Sequence, residues 1–202
     1  MPRPSTPILS VDRIADAAIE LVDEGAGFGV NALARRLGVT ASSLYNHVSG
    51  RDEIVELMRA RLGAQSIPEV PEDVSWDEAV SMIVRGQREM YAAHPFVVPL
   101  IVGKTITDPG VISAYERMAS ALVAGGFPDG DVLTIISVID SFSLGAGLDL
   151  AAPDDVWAPT ESAATLSRLV KASGHGRARS DKAFETGLEL LLESLRMRLA
   201  AG

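Results

Sequence analysis

The chain has no cysteine. That absence excludes a disulfide scaffold, thiolate metal ligands and a cysteine nucleophile, and it fits a reducing compartment. Histidine is scarce as well. His47, His94 and His175 are scattered, with no pair at the i,i+4 spacing of a helical metal site. Gly125-Gly126 and Gly145-x-Gly147 lack the preceding strand that a phosphate-cradling loop needs. No G-x-S-x-G nucleophile elbow occurs. These gaps speak against an enzyme, and no metal or cofactor is expected. No apolar run approaches the ~20 residues of a membrane helix. The opening MPRPSTP lacks the apolar core of a secretion signal, so the expected location is the cytoplasm, with no membrane partner.

What is present is ample apolar material and an excess of acid. Hydrophobic residues make up 47% of 202, enough for a small and a medium domain. The net charge of −9 argues at first sight against a nucleic-acid partner. Its distribution reverses that argument. Residues 1–66 carry 7 Lys+Arg against 8 Asp+Glu, net −1, whereas residues 67–202 carry 11 against 19, net −8. The first part is neutral, so any DNA affinity there must come from a few placed contacts and from doubling by dimerisation.

Residues 1–9 hold three prolines and read as a disordered arm, with Arg3 in a solvated tail. Ser10 is a good N-cap for a helix whose apolar face is Val11, Ile14, Ala15, Ala18, Ile19 and Val22. Gly25-Ala26-Gly27 stops it, and Phe28 plugs the gap to the next element. A second helix is expected from about Val30 to Leu37. Gly38 ends it in the left-handed conformation, and Thr40 caps a third. In that third helix Leu44 and Val48 face inward. Ala41, Ser42, Ser43, Tyr45, Asn46 and His47 are then left outward, a face without charge until His47. Two short helices around a glycine turn form a helix-turn-helix, which places its second helix in the major groove of DNA.

The stretch GVTASSLYNHVSGRDEIVELM resembles the DNA-binding signature of the TetR family of bacterial transcriptional regulators, in its tetracycline-repressor branch. It has the Gly-Val-Ser/Thr turn, the Leu-Tyr-x-His segment and a basic residue followed by an acid, and the likeness covers about residues 10–60. The resemblance implies that Tyr45, His47 and Arg51 hold phosphates. It also implies that Ala41, Ser42 and Ser43 read bases, with Asn31, Thr40 and Asn46 beside them. Gly29 and Ser42 stand where the family often has Thr and Gly or Pro, which leaves the base preference open.

Residues 10–50 are thus expected to be a helix-turn-helix DNA-binding domain and 51–66 a connecting helix. Residues 67–74, with two prolines, form the linker, and 75–202 an effector-binding and dimerisation domain; the whole is all-α. Ser75-Trp76-Asp77-Glu78 fits a capping box ahead of a helix reaching His94-Pro95. A short apolar segment, 96–102, follows. Asp108-Pro109 then opens a helix that runs to Gly125. Residues 129–150 are apolar nearly all round, as in a helix buried on several sides, and Gly145-Ala146-Gly147 permits a close backbone approach. A weaker helix is expected over about 160–172, SGHGRARS breaks it, and the last runs over about 181–199.

The resemblance implies a homodimer through the helices near 129–150 and 181–199, and an effector pocket among the body helices. Met90, Phe96, Met118 and Phe142 supply apolar surface suited to it, His94 and Asp140 polar groups, though each also fits plain core or a helix end. The reading is a dimeric, ligand-responsive regulator. It acts as a repressor that a small, largely apolar effector releases from a palindromic double-stranded DNA operator. A body that binds a protein partner, and an all-α enzyme with a vestigial head, are the alternatives.

Overall fold

The computed structural model describes residues 9–25, 28–71 and 73–201. The expected arm therefore lies outside the described residues except for Leu9, which is buried, and so do Ala26 and Gly27 of the glycine stop. Every regular element among the described residues is a helix. The helices gather into two compact units. One holds the chain as far as Pro68 together with His94–Glu116, the other Glu69–Ala93 and Arg117–Gly202. The unit that holds the helix-turn-helix thus also takes up a later stretch that the linear reading assigned to the body.

In the first unit lie α1 (Val11–Asp23), α2 (Val30–Leu37), α3 (Ala41–Tyr45), α4 (Arg51–Ser66) and the four-residue α6 (Val98–Ile101). The Ser10 hydroxyl accepts the Arg13 N–H and starts α1. One face of α1 packs on α2 and α4, with Ile14 and Ala18 fully buried. Val11, expected on that face, is instead 46% exposed, and Leu9 just before the helix is buried. Gly38 ends α2 at φ +68°, a backbone conformation that costs glycine nothing. The five residues of α3 are too few for an independent helix. It is held by Leu44 and Val48, which are 0% and 2% exposed. Burial on that scale contributes about 1.5–3 kcal/mol per large apolar side chain.

The second unit contains α5 (Trp76–Ala93), the later part of α7 (Pro109–Ala124), α8 (Asp129–Leu150), α9 (Ala164–Ala172) and α10 (Gly176–Ala201). Its main contact is α5 on α8, and α10 packs on α8 as well. A Cβ built at Gly147 would stand 2.5 Å from the Tyr91 Cβ and 3.0 Å from the Arg88 carbonyl oxygen, so α8 meets α5 there as bare backbone. Gly145 has nothing within 4 Å, so the expected close approach belongs to Gly147 alone. Trp76 packs edge-on against Phe127, ring centres 5.0 Å apart.

Three expectations about this unit change. The last helix starts at Gly176, inside the stretch read as a break. The loop before it supplies the reason. His175 pairs with Asp155 at 3.0 Å, and the Gly176 N–H donates to the Asp154 carbonyl, which together fix the helix start upstream of the apolar stripe. Helix α9 begins at Ala164 and has no buried residue. Finally, α8 is long and apolar enough to cross a membrane, although no uninterrupted run suggested it, because Asp131, Asp140 and Asp149 divide the run without lowering its mean much. Only a third of its most apolar window, 33%, is buried within the single chain, and Leu133, Val138 and Leu148 are exposed, so the expected burial on several sides is not met.

Candidate nucleic-acid interface

The turn between α2 and α3 is built from its backbone outward. Gly38 and Val39 donate their N–H groups to Arg35 and Ala34 carbonyls and close α2. Thr40 then caps α3, its Oγ1 accepting the Ser43 N–H at 3.1 Å and lying 3.0 Å from the Ser43 hydroxyl. With Leu44 and Val48 drawn into the core, Ser42, Tyr45, Asn46 and His47 all stand exposed, Tyr45 to 54%. Ala41 and Ser43 are half-buried at the start of the helix, and Asn31 is exposed on α2. The structure therefore leaves the outward residues of α3 exposed or half-buried, with Asn31 exposed on α2. It adds one restriction: the Ser43 hydroxyl is already engaged by Thr40, so Ser42 presents the free hydroxyl of the opening turn.

Arg51 is the first residue of α4, exposed, with its guanidinium 5.3 Å from the centre of the Phe28 ring. That contact holds the side chain by a cation–π attraction without neutralising it. Phe28 is half-buried rather than fully inserted. The start of α4 is tied down by Glu53, which accepts the Ser49 N–H at 2.5 Å. This bond from the Ser49 backbone, followed by one from its hydroxyl, holds the Glu53 carboxyl below its ordinary pKa.

Other cations of this unit are committed elsewhere. Arg36 binds Glu24 at 2.5 Å and approaches Glu20 at 3.5 Å. Arg61 grips Asp16 with two bonds, of 2.7 and 3.0 Å. Both guanidiniums are raised above their ordinary pKa, chiefly by those hydrogen bonds. A near-neutral domain thus spends much of its positive charge on itself, while among the described residues Arg51 rests on the Phe28 ring rather than in a carboxylate pair.

The residues expected to line an effector pocket are divided between the two units. Met90 and Met118 are buried in the core of the second unit. Phe142 stacks on Phe184 with ring centres 5.6 Å apart. Asp140 accepts a hydrogen bond from Gln87 at 3.3 Å, and the other end of that amide accepts the Ser143 hydroxyl at 2.7 Å. Gln87 and Ser143 are buried and were not singled out in the sequence. The only signal was a polar residue interrupting each apolar face. Ser137 and Ser141, on the same helix as Asp140 and Ser143, bond back to it through the Leu133 and Ser137 carbonyls. Phe96 and His94 belong to the first unit. Phe96 is 59% exposed, and the His94 Nδ1 lies 2.7 Å from Asp23 Oδ2 at the end of α1. A cavity of about 450 Å³ in the second unit is lined by Arg85, Arg88, Glu89, Arg177, Asp181, Phe184 and Glu185, which are largely paired with one another.

Comparison with known proteins agrees on a single family. The family model described as tetracyclin repressor-like, C-terminal domain, matches residues 67–199. An HTH-type transcriptional regulator of Saccharopolyspora erythraea is 30% identical over 176 residues, 86% of this chain and 71% of the relative. The class A tetracycline repressor protein from transposon 1721, of Escherichia coli, is 28% identical over 203 residues, 94% of this chain and 92% of its own. Among solved structures, the Streptomyces coelicolor TetR family protein ActR in complex with actinorhodin aligns with a TM-score of 0.73 at 25% identity, covering 96% of this chain and 99% of that one. The helix-turn-helix carried the likeness in the sequence, whereas the family model matches the body, so two separate parts of the molecule agree. The chain belongs to the TetR family of transcriptional regulators.

Proposed function

We propose that the protein is a homodimeric repressor that binds a palindromic operator through α3 and leaves it when a small, largely apolar effector enters the body. The observation that carries the DNA-binding part is the outward face of α3. Ser42, Tyr45, Asn46 and His47 are exposed while Leu44 and Val48 hold the helix from behind. Tyr45, His47 and Arg51 are the phosphate anchors. Ala41, Ser42 and Ser43, with Asn31, Thr40 and Asn46 beside them, face the bases. Such a regulator works where the chromosome is, in the cytoplasm.

Dimerisation is supported by apolar residues that the single chain leaves exposed. On α8 these include Leu133, at 74%, and Val138; on α10 Leu190 and Met197, at 62% and 67%. Leu190, Ser194 and Met197 follow the i,i+4,i+7 spacing of a second stripe, separate from the buried Phe184-Leu188-Leu192-Leu195 stripe. Two helices from each protomer would close such faces into a four-helix contact. The effector class is supported by the relatives. One is named a tetracycline repressor, and ActR is solved with actinorhodin. The effector acts only through its differential affinity for the DNA-competent and DNA-incompetent arrangements.

The test is binding to DNA from upstream of the protein's own gene as a function of salt. Of the three anchors only Arg51 carries a full positive charge, so two heads neutralise about two phosphates through them, which predicts a log–log slope of about −2. Tyr45→Phe should weaken all sequences alike, because phosphate contacts carry little sequence information. A flat salt dependence, or loss of discrimination with affinity intact, would sink the assignment of these anchors.

A further inference from the structure

The cavity of about 450 Å³ between α5 and α10 has the size of a small-molecule pocket and shares no residue with Met90, Met118, Asp140 or Phe142. Its charged lining is balanced, with Arg85, Arg88 and Arg177 against Glu89, Asp181 and Glu185. The two signs are not buried alike. The Arg88 side chain is 5% exposed. Its Nη1 donates to Asp181 at 2.8 Å and its Nη2 to the Ser180 hydroxyl at 3.0 Å, while its guanidinium lies 4.5 Å from the centre of the Phe184 ring. Its Nε has no hydrogen-bond partner among the described residues. The carboxylates of Asp181, Glu89 and Glu185, by contrast, belong to side chains 44%, 53% and 56% exposed.

Arg85 forks Glu185 through Nε at 3.4 Å and Nη2 at 2.7 Å. Arg177 donates to Glu89 at 2.6 Å and lies 3.5 Å from Asp181. Both of these guanidiniums are exposed, and exposed ion pairs contribute little to stability. An entering carboxylate can therefore take over their planar donor forks while Glu89 and Glu185 turn to water. An entering cation meets the opposite situation. It must draw carboxylates away from the same guanidiniums, and taking Asp181 leaves Arg88 as a buried charge without its partner, a strongly unfavourable arrangement. A lining with no net charge thus discriminates by sign, because its buried member is a cation.

We propose that this cavity is a second small-molecule site, and that it takes an organic carboxylate. Arg85 and Arg177 fork the anion, and the buried Arg88 adds a fixed positive charge. The aliphatic stems of the arginines and the Phe184 ring meet the carbon skeleton of the ligand. The site does not depend on the DNA-binding reading, and its failure would leave that reading untouched.

Calorimetric titration of the full-length protein, without DNA, tests the site with three ligands of one skeleton: phenylacetate, phenylethanol and phenethylammonium. Phenylacetate should bind saturably with a Kd of about 1 mM or tighter, a modest affinity for a ligand of its size. The neutral and cationic ligands should bind at least about tenfold more weakly, the worth of one charge-assisted hydrogen bond. Arg85→Gln and Arg177→Gln alter exposed side chains and should each weaken phenylacetate by a similar factor. Lys182→Gln, which removes an exposed cation of α10 outside the lining, should leave binding unchanged. Glu89→Gln removes the carboxylate that competes for Arg177 and should tighten binding by about twofold to fivefold, a gain that misfolding cannot mimic. Absence of saturable phenylacetate binding overturns the site. So does equal binding of phenylethanol or phenethylammonium, binding undiminished in Arg85→Gln and Arg177→Gln, a loss in Lys182→Gln as large as theirs, or binding that Glu89→Gln fails to tighten.

Discussion

Replacing Gly147 by alanine puts a methyl group where α5 and α8 already touch. The new Cβ would lie 2.5 Å from the Tyr91 Cβ and 3.0 Å from the Arg88 carbonyl oxygen. Carbon atoms in contact sit about 3.5–4.0 Å apart, so the two helices must separate locally by about 1 Å. Neither neighbour is the end of a flexible side chain, so the strain cannot be shed by a rotamer change. Overpacking of this kind costs about 1–3 kcal/mol, while the better helix propensity of alanine returns about 1 kcal/mol. The separation also strains the buried Gln87–Ser143 bond of 2.7 Å one turn away, so the upper half of the net range is expected, about 2 kcal/mol. At about 2–4 °C per kcal/mol for a chain of this size, the melting temperature should fall by roughly 4–8 °C. Gly63→Ala in α4 is the control. Its nearest neighbour is 4.0 Å away, and propensity alone should stabilise it by about 0.5–1 kcal/mol. Denaturation of both variants by urea at fixed protein concentration checks the pair. A Gly147→Ala protein as stable as the parent would refute the claim that bare backbone contact sets the α5–α8 distance.

Two further outcomes follow from surface and charge. Leu133→Asp combined with Met197→Asp places charge on the exposed stripes of α8 and α10, so sedimentation should show a shift to monomer while the helical signal of each chain is retained. An unchanged dimer would move the interface elsewhere. Glu53 has its pKa lowered in the folded protein, so its contribution to stability is present above the ordinary carboxylate range and lost as pH falls through the lowered value. Comparing the wild type with Glu53→Gln across that range should show a gap at neutral pH that closes on acidification. The gap should be small, because the group is exposed to screening; a gap that widens in acid contradicts the cap.

How much could be read beforehand depended on how local each determinant is. The turn at Gly38, the caps at Ser10 and Thr40 and the inward pair Leu44 and Val48 are fixed by neighbours a few residues away, and the helix-turn-helix followed from them. The start of α10 was not legible, because its determinants, Asp154 and Asp155, lie about twenty residues upstream. His94 was weighed as a ligand contact or a helix cap and proved to face Asp23, 71 residues earlier. Glu56 and Arg59 gain their backbone partners only from the return of the chain at residues 101–108, more than forty residues on. Phe96 counted as pocket material from composition alone and stands exposed, since hydrophobicity without a partner element fixes no direction.

The small residues at the start of α3 also matter for change over time. Among the described residues, Ala41 and Ser42 make no side-chain hydrogen bond on which the fold depends, while Thr40 and Leu44 on either side carry the cap and the anchor. Substitutions at these two positions would therefore be nearly free for stability. On the base-reading role proposed for Ala41 and Ser42, a lineage could exchange one operator for another there without passing through an unfolded intermediate, and a designer could do the same.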